Sequence, residues 1–367
     1  MLKRVFADNY KCMVEFEYKP GKVQLVLGSN GVGKSSLFDL LSALRTFIIT
    51  DAQTLTTFPT QSCTRWLKKR YQRFTIEVED DGQLFRYRLI LAHKAGEGTC
   101  LIKRESLSLD GHFLFKCIDG ELTICMPESK RQALIDRTRS AVYLFSQYSF
   151  ALPGVDRFRE CLRNFYCVRL DPRQMISIGA KAEAVPTVSL SNYASWHRYL
   201  LKHDLGTLAR MYDYLKIIID GFNSLMPETD ADGRHLLQAN IKPNRETSIK
   251  YDFMELSDGQ RCLVCLYTFL SLMRDKRITL CIDEPENYIM LAEIQPWLME
   301  LEDQAAQHGS QAIIISHHPE LINYFVPRDA VRLSRPDGCS VTVAPFRTGG
   351  KDALPPAEIV ARGWEDA

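Results

Sequence analysis

The stretch Leu27–Ser36, "LGSNGVGKSS", decides the fold. It closes an apolar run, "VQLVLG", and opens an amphipathic one, "SSLFDLLSALRTF". Gly28-Ser29-Asn30-Gly31-Val32-Gly33-Lys34-Ser35 satisfies the spacing GxxxxGK[ST], between an expected strand and an expected helix from Lys34 to about Ile48. Glycines let the backbone curl so that successive N–H groups face phosphate oxygens, and the helix N-terminus adds its own unpaired N–H groups. Lys34 would bring a point charge to the β- and γ-phosphates of ATP, and the Ser35 hydroxyl would ligate Mg²⁺. Ser29, Asn30, Gly31, Gly33 and Ser36 complete the candidate loop. The plain alternative is a glycine-rich surface turn; the order strand, loop, helix argues against it.

Working outward, residues before the loop alternate as strands do, with a Pro20-Gly21 turn between them. Residues 74–126 read as an antiparallel subdomain. Three Asp-Gly pairs, at Asp81-Gly82, Asp110-Gly111 and Asp119-Gly120, separate alternating runs. "AVYLF" (141–145) reads as a short buried strand, and within residues 155–226 the runs "VDRFRECLRNFYCV" and "SNYASWHRYLLKHDLGTLARMYDYLKIIIDGF" have helical periodicity. A hairpin is expected within 235–254. Then helix 259–274, strand "ITLCIDEP", helix 291–307, strand "QAIIISHHP" and helix 319–325 alternate, which indicates a parallel α/β sheet. A last hairpin turns at Asp337-Gly338. The expected parts are an N-terminal part (1–150), a helical lobe (151–254), a C-terminal part of the same head (255–345) and a tail (346–367).

Four further motifs follow in chain order. Gln147, in "YLFSQYSF", follows the 141–145 segment and is a candidate sensor of Mg²⁺ and water, or an ordinary surface glutamine. "ELSDGQR" (255–261) puts Ser257, Gly259 and Gln260 at the start of an apolar helix, either as a small anion site or simply as a helix cap. "ITLCIDEPE" (278–286) ends a buried strand in Asp283, suited to the Mg²⁺ shell, and Glu284, suited to deprotonating an attacking water. "AIIISHHPE" (312–320) ends another in His317 and His318, of which His317 is the better phosphate-contact candidate.

Taken together, these motifs resemble ABC-type ATPases, with Asp258 standing at the first glycine of their LSGGQ signature. The interval from Ser257 to Asp283 suits one helix and one strand. The interval from Lys34 to Ser257 is long for a transporter domain and far too short for SMC arms, and no heptads are present. "ESLSLDGHFLF", "RLDP", "LSDG" and "IDEPEN" are most similar to compact OLD-like ATPases of the RecF, SMC and OLD group. The resemblance implies a P-loop NTPase of ABC type: α/β, a mixed parallel sheet, an antiparallel β subdomain and a helical lid lobe. It also implies head-to-head dimers around two ATP molecules, each loop completed by the partner's Ser257 region. One departure is the loop after Glu286, "NYIML", where many relatives read "xxLHP". No acidic triad follows the histidines, so a nuclease or toxin effector would be a separate chain. The resemblance points to anti-phage defence; the alternatives are a DNA-repair ATPase and a nucleotide-gated scaffold with negligible turnover.

Composition narrows the class. The chain has 367 residues, 46% hydrophobic and 25% charged, with net charge +1, so no global field attracts nucleic acid. A local cluster does exist: "RWLKKRYQR" gathers Arg65, Lys68, Lys69, Arg70 and Arg73 around Trp66 and Tyr71, as a phosphate-neutralising patch or a solvated helix face. No apolar run is long enough for a membrane span, and the N-terminus does not read as a signal peptide. Eleven scattered cysteines suit a reducing cytoplasm better than a disulfide framework. The Cys262-x-x-Cys265 pair has no second ligand pair and reads as buried apolar residues.

Overall fold

The computed structural model describes residues 1–94, 98–126, 130–147, 152–179, 181–229, 235–242, 247–346 and 354–361. Its strands are β1 (Leu2–Asp8), β2 (Phe16–Tyr18), β3 (Val23–Leu27), β4 (Tyr71–Asp80), β5 (Gln83–Lys94), β6 (Thr99–Leu109), β7 (His112–Ile118), β8 (Glu121–Cys125), β9 (Lys130–Leu134), β10 (Phe165–Arg169), β11 (Phe222–Thr229), β12 (His235–Ile241), β13 (Ile249–Asp252), β14 (Thr279–Asp283), β15 (Gln311–Ile315), β16 (Ala330–Ser334) and β17 (Thr342–Pro345). Its helices are α1 (Lys34–Ile49), α2 (Thr54–Thr57), α3 (Ala141–Phe145), α4 (Pro153–Arg163), α5 (Tyr193–His203), α6 (Leu205–Ile218), α7 (Asp258–Asp275), α8 (Leu291–His308), α9 (Pro319–Phe325) and α10 (Pro356–Ala361). Two compact units form: Met1–Phe165 with Ile322–Ala367, and Tyr166–Leu321.

The first unit is built on an eight-stranded sheet in the order β2-β1-β4-β5-β6-β7-β8-β9. From β4 to β9 each strand pairs with its successor, and at three of these five junctions an Asp-Gly pair turns the chain in two residues. Asp80 faces Gln83, Leu109 faces His112 and Ile118 faces Glu121. Both residues of each pair have positive φ, from 47° at Asp81 to 90° at Gly120, the conformation that type I′ turns demand. Alternation along β4 and β5 buries Phe74, Ile76, Phe85, Tyr87 and Leu89 on one face. Beside this sheet, β3 pairs with β16 in parallel, Leu25 opposite Ala330, and β16 pairs with β17 antiparallel. Helix α1 buries Leu37, Leu40, Leu41, Leu44 and Ile48, a stripe at helical spacing.

In the second unit β10, β14 and β15 lie side by side, with β14 and β15 parallel and Asp283 opposite Ile315. Every residue of β14 and β15 is buried, so both read as continuous apolar runs rather than alternating ones. Helix α7 is buried on all sides from Arg261 to Met273. The Trp297 indole of α8 donates to the Leu266 carbonyl of α7 at 3.1 Å. Strands β11, β12 and β13 make a separate antiparallel sheet.

Three expectations need correcting. Residues 141–145 form helix α3 rather than a strand, because Ser140 caps it, accepting from the Val142 N–H at 3.2 Å. Residues 165–169, expected as helix, form β10, since "FYCV" is aromatic and β-branched and α4 stops at Arg163. The cluster around Arg65–Arg70 is not helical; that segment is turn and loop, and Tyr71 and Arg73 open β4. The expected hairpin within 235–254 is β12 with β13, apart from residues 243–246, which lie outside the described residues. The tail lies mostly outside them, α10 excepted. Among the described residues, no helix is long and apolar enough to cross a membrane.

Candidate functional site

The loop after β3 owes its shape to three glycines with positive φ: 149° at Gly28, 77° at Gly31 and 129° at Gly33. A Cβ on Gly28 would lie 2.8 Å from the Leu333 carbonyl oxygen, and one on Gly33 would lie 3.0 Å from the Cys12 sulfur. A side chain at Gly31 would meet nothing within 4 Å, so the glycine serves backbone conformation there. Lys34 curls back over the loop, donating from Nζ to the carbonyls of Gly28 at 2.5 Å and Ser29 at 3.2 Å. Ser29, Asn30, Gly31 and Ser35 are exposed, Ser36 is half-buried and Gly33 is buried. From the far end of the chain, Arg335 Nε donates to the Val32 carbonyl at 3.0 Å and the Val341 N–H to the Cys12 carbonyl at 3.1 Å. Sequence reasoning missed both Arg335 and Cys12; no local signal marks either.

Gln147 is also in the first unit, exposed, one residue beyond Ser146 at the end of α3. The helix before it is fixed by a buried carboxylate. Glu105, on β6, accepts from Tyr87 Oη at 2.9 Å, Ser140 Oγ at 2.7 Å and the Ala141 N–H at 2.9 Å. Burial pushes the Glu105 carboxyl above its ordinary range, and the donated bonds from Ala141, Ser140 and Tyr87 oppose that rise.

In the second unit, β14 ends in Asp283, 9% exposed, which accepts from Arg169 Nη2 at 2.5 Å and Nε at 2.8 Å. Arg169 is the last residue of β10, and sequence reasoning passed over it. Glu284 has φ 51°, an unusual left-handed conformation for a glutamate. Its N–H donates to the Ile315 carbonyl at 2.8 Å. Its carboxylate is held on both sides: Oε1 by His317 Nδ1 at 2.9 Å and Oε2 by Asn287 Nδ2 at 2.9 Å. The neighbouring His318 does a different job, its Nδ1 accepting the Glu320 N–H at 3.2 Å. Glu286 is buried. It takes a hydrogen bond from Ser316 Oγ at 2.5 Å, and its second oxygen meets no side-chain donor among the described residues. Burial pushes its carboxyl up, and the bond from Ser316 opposes that rise.

Ser257 caps α7. Its Oγ accepts from the Gln260 N–H at 3.2 Å, and Gln260 Oε1 accepts from the Ser257 N–H at 3.0 Å, a reciprocal capping box. Asp258, the departure from a glycine-glycine signature, pairs with Arg261 at 2.5 Å, and Arg261 reaches the Pro172 carbonyl at 2.8 Å. The guanidinium offsets a charge that would otherwise oppose an anion at this helix start. Gly259 is dictated by packing, since a Cβ there would lie 2.8 Å from the Tyr288 carbonyl oxygen. Tyr288 itself has φ 71°, so neither backbone yields easily. We expect Gly259→Ala to destabilise the second unit by about 1–3 kcal/mol, read as a lowered midpoint in urea; an unchanged midpoint would refute the packing account.

The donors suit the expected groups. Ser35 and Asp283 offer hard oxygen atoms, as Mg²⁺ prefers, and the glycine cradle and Lys34 suit phosphate. Among the described residues no group of three or more His, Cys, Asp or Glu converges as a metal cage. Cys262 and Cys265 are buried on α7; burial pushes the Cys262 thiol up to about 12 and raises Cys265 well above the usual range.

Residues 191–323 match the family model described as "AAA domain, putative AbiEii toxin, Type IV TA system". A search of curated proteins finds no match. Among solved structures, one similar chain is an SMC head bound to the C-terminal winged-helix domain of ScpA, at 14% identity and TM-score 0.55, covering 94% of this chain and 97% of that one. Another is the Pyrococcus furiosus SMC head with an extended coiled coil bound to the ScpA C-terminal domain, at 10% identity and TM-score 0.51, covering 100% of this chain and 98% of that one. The fold is that of a P-loop NTPase, with mixed parallel and antiparallel sheets.

Proposed function

We propose that the chain is a cytoplasmic, Mg²⁺-dependent ATPase that dimerises head to head around ATP and whose nucleotide state controls a separate effector protein, a nuclease or toxin, in defence against phage. The observation that carries the catalytic part is the Glu284 carboxylate, clamped between His317 and Asn287 beside Asp283 at the end of a buried strand. A carboxylate fixed on two sides is oriented to take a proton from water without first paying for its own ordering. His317 is 61% exposed, placed to hold Glu284 and to contact a phosphate. Lys34 and the loop N–H groups bind and orient the phosphates. By their motifs Ser35 and Asp283 are the residues that would hold Mg²⁺, which would supply charge neutralisation at the phosphates, with Gln147 as the candidate sensor. Arg169 supplies the positive charge on Asp283 otherwise.

The description of the matched family, which includes a toxin–antitoxin system, supports the defence setting. That similar SMC heads were solved with ScpA supports a protein partner. In the proposed dimer, Ser257, Gly259 and Gln260 of each copy complete the other copy's site, and closure requires Ser257 and Gln260 to share their capping bonds with phosphate.

The test is the molar mass of the full chain by light scattering with Mg²⁺ and a slowly hydrolysed ATP analogue. Wild type becomes a dimer, Ser257→Arg binds nucleotide but stays a monomer, and Lys34→Ala binds none. Nucleotide bound by wild type without any change in mass removes the dimer reading.

A further inference from the structure

At the end of β1, Asp8 and Asn9 are wholly buried polar side chains. Asn9 donates from Nδ2 to the carbonyls of Lys69 at 3.2 Å and Tyr71 at 3.0 Å, and accepts from the Thr64 N–H at 3.1 Å. Gln72 donates to the Asn9 carbonyl at 3.0 Å and to Ser62 Oγ at 3.1 Å. These bonds pin the basic segment in place, so it is not a freely solvated run. Asp8 accepts from Lys69 at 3.0 Å and from Arg73 at 2.8 Å. Burial alone would raise its carboxyl; the bonds from Arg73 and Lys69 prevail and hold it below the ordinary range. Two cations are thereby fixed by a buried acid.

Sheet register adds what the sequence did not bring together. Asp8 faces Arg73, Arg73 faces Ile90 and Ile90 faces Arg104, one row across β1, β4, β5 and β6. The row and the pinned segment line a groove of about 430 Å³. It is lined by Lys69, Arg70, Arg73, Lys103 and Arg104, of which Lys69 and Arg73 pair with Asp8 and Lys103 pairs with Asp119, and by Tyr71 and Ile90. Tyr71 is 47% exposed. Arg65 and Lys68 do not line it.

We propose that this groove binds single-stranded nucleic acid, an activity that neither requires nor follows from the ATPase reading. Guanidinium forks lining the groove match phosphate oxygens. The exposed Tyr71 ring among them offers a stacking surface to an unstacked base, and stacking on a ring is tolerant of sequence. A concavity of this size admits a splayed nucleotide; a duplex keeps its bases stacked away from such a ring. With the chain's net charge at +1, attraction is local to this face.

The test is fluorescence anisotropy of the full chain with labelled oligo(dT) and oligo(U) of about 20 nucleotides and a duplex of equal length. Wild type should bind the single strands more tightly than the duplex, with log affinity falling against log salt at a slope of about −3.5 for five cations. Arg70→Glu with Arg104→Glu should weaken binding at least tenfold and make the slope shallower. Tyr71→Ala should weaken single-strand binding about tenfold and spare any duplex binding. All variants should keep the wild-type melting curve and nucleotide affinity. Should the double charge reversal not fold, Lys103→Gln with Arg104→Gln serves in its place. Absent binding at low salt, equal binding by the variants, or tighter binding of the duplex or of polyglutamate would each overturn the proposal.

Discussion

Replacing Glu284 with Gln is expected to lower steady-state ATP turnover by about 10²–10⁴-fold while leaving nucleotide affinity within a few-fold of wild type. The substitution keeps the size of the side chain and one of the two accepting oxygens, enough to take the bond from Asn287. It removes the group proposed to take the proton from water. The nucleotide-bound dimer should therefore persist, because closure is retained and the step that ends it is blocked. The readings are phosphate release and the lifetime of the dimer on a sizing column. A turnover loss smaller than threefold would move the base elsewhere and leave Glu284 a structural role.

The second large effect is expected far from any phosphate. Glu105→Ala removes the acceptor shared by Tyr87, Ser140 and Ala141, leaving three buried donors to find other partners. Local destabilisation of α3 by about 3 kcal/mol follows, or a loss of about 10² in hydrogen-exchange protection at Val142–Phe145. Acidity gives a second reading. Because burial raises the folded-state pKa of Glu105 above its unfolded value, the favourable contribution of this group is complete below the ordinary carboxyl range. It is lost as pH rises through the raised pKa. Wild-type stability should thus decline from acidic toward neutral pH by more than that of Glu105→Ala. Protection in α3 that is unchanged in the variant would show that the Ser140 cap suffices.

Much of the site was legible because its signals are local. Glycine at three loop positions, a lysine and a serine at a helix start, and acids at the end of an apolar run each carry their meaning within ten residues. The Asp-Gly turns are of the same kind: two residues set the register of a whole hairpin. What stayed hidden depends on partners distant in the chain. A five-residue apolar run such as "AVYLF" fits strand or helix equally by periodicity, and Glu105, thirty-six residues earlier, supplies the acceptor that settles it. Arg169 looks like any strand-end arginine until β10 is set beside β14. The basic segment 65–73 scans as a helix face because its composition says nothing of Asp8 and Asn9, which hold it as a loop. Ser257 admitted two readings, cap or anion site; the capping box is present, and a side chain bonded to its own helix is also one stationed at that helix's open N–H groups.

The order in which a ribosome delivers this chain gives the pairing of β3 with β16 a further meaning. Strand β3 and the loop after it emerge early, but Ala330–Arg332, opposite Leu25–Leu27, emerge only after the whole second unit has been made. So do Arg335, which braces the Val32 carbonyl, and Val341, which braces Cys12. The meander β4–β9, whose neighbours are consecutive, can form long before. A nascent chain therefore carries the paired meander and an unbraced glycine loop throughout the making of the second unit, and the loop gains these supports only after it.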